Sequence, residues 1–158
     1  MESVITTKSK IQISELAKEI TAIAIRWLCM ALFFYTAHAK TVDHDRFLKG
    51  LARVHLISGF ALFLSYAVPI VEFLVALLLL VPNTAKTGLY CFIAVMSAFT
   101  IYIASALIWE PTLPCHCGGA IEKLSWGQHI WFNLAFILIA ITGVWLINFN
   151  KTFKLQKS

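Results

Sequence analysis

The sequence predicts an all-α integral membrane protein, a bundle of four membrane-spanning helices, and three observations carry that prediction. The 158 residues are 59% hydrophobic and 13% charged, about half the charge of a soluble domain. Mean hydropathy is +0.79. The 13 basic and 8 acidic side chains are segregated, leaving 87–109 and 124–150 without Asp, Glu, Lys or Arg. Both runs exceed the roughly 20 residues a helix needs to cross a hydrocarbon core. With 12 Phe, 5 Trp and 4 Tyr, the chain also lacks the composition of a disordered segment.

The first span is expected at about 17–37, interrupted by Lys18, Glu19 and Arg26. Ala37-His38-Ala39 has the small-x-small form of a signal-peptide cleavage site, but the charged region before it would run to Arg26, too long for such a peptide. The segment is therefore expected to stay as a helix. The second span is expected at about 58–81, interrupted by Glu72, and the third and fourth at about 88–109 and 126–148. Between the first two, Phe47, Leu51 and Val54 recur at helical spacing among Asp45, Arg46, Lys49 and Arg53, which predicts a short amphipathic interfacial helix over 44–57. Its basic residues are read as snorkelling to headgroups.

The net charge of +5 does not indicate nucleic acid, because Lys and Arg lie at the termini and short connections and form no basic stripe. Membrane lipid is the partner it fits. Lys8, Lys10, Lys18, Lys86, Lys151, Lys154 and Lys157 fall on one side and Lys40, Arg46, Lys49, Arg53 and Lys123 on the other. The positive-inside rule then places both termini in the cytoplasm.

The densest chemistry lies in the connection 110–125, at Pro111-Thr112-Leu113-Pro114-Cys115-His116-Cys117-Gly118-Gly119. Two cysteines one residue apart can bond only within a tight turn, and the flanking Pro and Gly supply one. Such a small ring removes little chain entropy, so it is a poor staple. Strained disulfides are the labile ones, which makes a redox pair the sharp reading of Cys115 and Cys117. Ser125 and Gln128 have the form of a capping box that starts the last helix near Trp126. The positive end of that helix, with His116 and His129, would favour a thiolate. Trp126 and Trp131 read as interface anchors.

Rival readings stand beside this one. Cys115, His116, Cys117 and His129 include the ligand types of a Zn or Cu(I) site, although closed zinc sites usually space paired cysteines two to four residues apart. An inert loop is the third reading. Cys29 and Cys91 lie within spans at different depths, where they read as small apolar residues. The intramembrane charges Arg26 and Glu72 sit at similar counted depths, so an Arg26 to Glu72 ion pair is expected. It would either lock two helices together or line a pocket for a quinone or another electron acceptor, with Pro69 widening the bundle nearby.

The segment Ala31-Leu-Phe-Phe-Tyr-Thr-Ala-His-Ala-Lys40, then Phe47, Val68-Pro69-Ile70-Val71-Glu72 and the two-cysteine loop leading into Leu124-Ser125-Trp126 resemble the DoxX-like superfamily, and within it the MauE type of methylamine-utilisation protein. The likeness runs from about residue 20 to 148. It implies a four-helix inner-membrane protein associated with thioredoxin-like partners and with disulfide formation in exported proteins. By that resemblance Cys115 and Cys117 stand at the redox pair and Glu72 at the intramembrane acid. His116 replaces the family's usual Gly between the cysteines, and Gly118-Gly119 its Phe-Gly, which keeps a metal role open. The expected activity is that of a thiol-disulfide oxidoreductase with the loop in the periplasm. The alternative is a non-enzymatic subunit of a larger membrane complex whose loop docks a partner or binds a metal.

Overall fold

A computed structural model describes residues 2–54, 57–109 and 126–156. No Gly or Pro occurs before Gly50, so nothing interrupts the first helix, α1, which runs unbroken over Glu2–Val42. Asp43 bends the chain, its carbonyl accepting the first amides of the amphipathic helix α2, His44–Ala52. Phe47, Gly50 and Leu51 of α2 are buried, while Asp45, Arg46 and Lys49 face outward. α2 closes at Ala52, short of the expected end at residue 57.

A 3-10 turn at Ser58–Phe60 leads into α3, Ala61–Leu80, which carries Pro69 inside it. Pro82 ends α3 by forcing Val81 into an extended conformation (φ −89°, ψ 123°). The Thr84 hydroxyl donates to the Leu78 carbonyl at 2.8 Å, satisfying one of the acceptors that a helix end leaves open. α4 follows over Ala85–Trp109 and α5 over Trp126–Gln156. Among the described residues there is no strand.

Among the described residues four segments are long and apolar enough to cross a membrane: Leu16–Val42, Ser58–Leu80, Ala85–Ile108 and Gly127–Asn148. This is a multi-pass membrane protein. α1 packs against α3 and α5, and α4 packs against the same two, so the helices form a ring in the order α1, α3, α4, α5. The core inside the ring contains Cys29, Phe33, Val75, Leu79, Leu89, Phe92 and Val144, with the Phe33 and Phe92 rings 4.3 Å apart. Two glycines allow close approach. A Cβ on Gly88 would stand 3.0 Å from the Leu79 backbone nitrogen, and one on Gly143 would stand 2.8 Å from Ile25 Cγ2. Outside the ring, Ile20, Phe34, Leu62, Ile101, Trp131 and Leu138 are exposed, an apolar girdle of the kind acyl chains cover and water disfavours.

Candidate functional site

The core-facing line of α1 passes through Cys29, Phe33 and Ala37, all buried, and the next residue at helical spacing is Lys40. α1 does not stop at residue 37 as expected, so Lys40 is carried inward against α3. Its Nζ lies 2.7 Å from Glu72 Oε1 and 3.0 Å from Oε2. Glu72 is 1% exposed and the Lys40 side chain 12%. Four elements meet here, because the Phe47 ring of α2 and the Phe99 ring of α4 stand 5.8 and 5.4 Å from Nζ. The ring faces are electron-rich and attract the ammonium. Thr36, one turn further into the bundle, donates its hydroxyl to the Phe33 carbonyl at 3.2 Å.

Pro69 sits three residues before Glu72. It has no N–H for the Ser65 carbonyl, which loses its usual donor in the helix. Ser65 is fully buried, and its hydroxyl donates to the Leu62 carbonyl at 2.8 Å. The interior at this end of the bundle is thus more polar than the apolar sequence around it.

The expected Arg26 to Glu72 pair is corrected by this geometry, since the partner of Glu72 is Lys40. The cause is register. Phe34 faces Phe73 with ring centroids 5.8 Å apart, and His44, at the start of α2 just past the end of α1, faces Tyr66 at 4.4 Å, so α1 and α3 run antiparallel with Thr36 level with Glu72. Eight residues from Phe34 to Arg26 are about 12 Å of helix, which brings Arg26 to the level of Val81, at the far end of α3. There its guanidinium lies 5.8 Å from the Trp27 ring centroid. Counting depth from the ends of both spans assumed that they begin together, whereas α1 is displaced by more than two turns.

Cys115, His116 and Cys117 lie outside the described residues, as does Ser125 of the capping box. His129 is half-buried in the first turn of α5 and is already engaged in an interaction. Cys29 and Cys91 are free thiols on α1 and α4. Among the described residues no three His, Cys, Asp or Glu side chains cluster as metal ligands would.

Two residues escape the sequence reading. Lys40 had a signal, the line Cys29, Phe33, Ala37, Lys40 with no helix breaker before Asp43. Asn133 of α5 had only its polarity. It is 7% exposed, and its carboxamide finds no hydrogen-bond partner among the described residues.

The family model of the methylamine utilisation protein MauE matches residues 18–146. That range includes Lys40, Glu72, Asn133 and the two-cysteine connection. No curated protein and no solved structure matched the chain.

Proposed function

Because the chain belongs to the MauE family, we propose that it serves methylamine utilisation as a thiol-disulfide redox protein of the bacterial inner membrane, with Cys115 and Cys117 as the exchanging pair. The observation that carries this reading is the Cys115-His116-Cys117 run within the matched residues. It lies in the connection from α4 to α5, at the end of the bundle where α1 turns into α2. The excess of Lys and Arg at the opposite face puts that end in the periplasm, an oxidising compartment in which disulfides persist. We group the bundle with the DoxX-like superfamily on the residues around Lys40, Glu72 and the cysteine loop.

The exchange is a balanced thiol-disulfide transfer. A thiolate of an exported or thioredoxin-like protein attacks one sulfur of the Cys115-Cys117 disulfide, the S–S bond breaks, and the departing thiolate takes up a proton. The second thiol of the partner, deprotonated, attacks the mixed disulfide. The partner leaves oxidised and this chain is left as the dithiol, with the reverse direction following the same steps. Lys40 and Glu72 fix α1 to α3, the two helices against which α5 and α4, the helices that carry the loop, are packed.

In the reverse direction a thiolate of this chain attacks the disulfide of an oxidised partner and its second cysteine resolves the adduct, so replacing one cysteine by Ser removes the resolving thiol and should trap the mixed disulfide with that partner. Cys115→Ser or Cys117→Ser protein, captured from cells after acid quenching, is expected to carry a covalent adduct that dithiothreitol releases. If neither variant forms an adduct and the wild-type protein retains stoichiometric zinc or copper that both variants lose, the loop is a metal-binding element and the redox reading fails. Non-covalent retention of a fixed membrane partner by all three forms, without an adduct, would identify it as a docking subunit.

A further inference from the structure

We propose that Asn133 anchors a binding site for a membrane quinone in the interior of the bundle. Asn133 is 7% exposed on the core side of α5, in line with buried Ala140 and Val144, and has no partner among the described residues. Inside a membrane no bulk water compensates such a group. Buried polar side chains without a partner are rare and call for a bound ligand or water.

Asn133 shares its depth with the Lys40 and Glu72 site. Gly143 of α5 lies against Ile25 of α1, and from that contact Asn133 is ten residues and Thr36 eleven toward the loop end, about 15 and 17 Å. Thr36 is level with Glu72. The flanking side chains on one side of Asn133 are aromatic. The Phe132 and Phe136 rings are 4.7 Å apart and half-buried, and Phe136 meets Phe92 of α4 at 6.4 Å. A half-buried aromatic seam offers a flat, apolar molecule a way in from lipid.

The chemistry of the amide selects the class. Asn supplies both an N–H donor and a C=O acceptor. A ligand that alternates between a ring carbonyl and a ring hydroxyl meets one group when oxidised and the other when reduced. A quinone does this and is lipid-soluble, as a site within the span Gly127–Asn148 requires. Its role rests on the thiol-disulfide reading. After the dithiol forms, Cys115 and Cys117 give up two electrons and two protons as their S–S bond is remade, and the quinone takes them to become the hydroquinone.

The test uses full-length protein in lipid nanodiscs titrated with decylubiquinone, followed by tryptophan fluorescence. Wild-type protein should bind saturably, and Asn133→Leu, a swap of similar volume, should bind about tenfold more weakly with thermal stability unchanged or raised. Asn133→Gln, which keeps both hydrogen-bonding functions, should retain most of the affinity. Equal binding by wild type and Asn133→Leu, or no saturable binding, overturns the proposal, and a gain in stability alone would then mean that the amide held a water. A separate measurement follows hydroquinone formation by the pre-reduced protein. Binding without reduction keeps the site and refutes the thiol role. Mixed-disulfide adducts without quinone binding refute the site and keep the thiol role.

Discussion

The contact between Lys40 and Glu72 can be tested by removing its partners singly and together. Lys40→Met leaves the Glu72 carboxylate 1% exposed without the ammonium that engages both of its oxygens at 2.7 and 3.0 Å. Breaking a buried pair in this way costs about 3–5 kcal/mol. Glu72→Leu should cost less, about 1–3 kcal/mol, because Lys40 lies near the end of α1 and can swing its long stem toward the interface. The double variant Lys40→Met with Glu72→Leu removes both charges and should return to within about 1–2 kcal/mol of wild type. The two single effects therefore should not add, and the coupling should amount to at least about 2 kcal/mol. Equilibrium unfolding in mixed detergent micelles, followed by circular dichroism, measures all four proteins. Arg26→Leu with Glu72→Leu is the control, and its effects should add within about 0.5 kcal/mol. Additive effects for Lys40 and Glu72, or strong coupling for Arg26 and Glu72, would refute the register on which the site rests.

Other predictions follow from the packing and the loop. Gly143→Ala should destabilise the bundle by about 1–3 kcal/mol, since the new methyl meets the stiff, β-branched Ile25 at 2.8 Å, and Ile25→Ala should relieve most of that loss in the same unfolding assay. Gly88→Ala should cost more and resist rescue by Leu79→Ala, because its methyl meets the Leu79 and Leu78 backbone at 3.0 and 3.1 Å. Cys115→Ser and Cys117→Ser should change unfolding by no more than about 0.5 kcal/mol while abolishing oxidation of a reduced exported protein, and retained oxidation would exclude the pair from the chemistry. A membrane-impermeant maleimide should label reduced Cys115 in intact spheroplasts and leave Cys29, fully buried, unlabelled until the protein unfolds. Labelling of Cys115 only after lysis would invert the topology.

The four helices were legible because charge-free runs such as 87–109 and 124–150 have few alternatives in a chain this apolar. Their relative heights were not. Depth counted from a span's first apolar residue ignores how far a helix slides to seat its close contacts, and here Gly143 on Ile25 and Gly88 on Leu79 belong to that seating. The slide exchanged Arg26 for Lys40 as the partner of Glu72. Lys40 was hidden by its charge, which reads as the end of a span although its stem can reach inward from the last turn. Asn133 was hidden by its surroundings, one polar residue in a long apolar run, and its significance appears only once its partners can be sought. The two-cysteine loop was read from its residue types and spacing, and it lies outside the described residues.

The central claim, that Cys115 and Cys117 form a working redox pair, is tested most directly by thiol trapping in intact cells. Protein carrying Cys29→Ala and Cys91→Ala is acid-quenched during growth on methylamine, alkylated, reduced and alkylated again with a heavier reagent, and the loop peptide is weighed. The account predicts both the dithiol and the disulfide, with the disulfide fraction falling when reduced export substrate accumulates and recovering when it is cleared. A pair that stays wholly reduced, or wholly oxidised, through the same changes would contradict it.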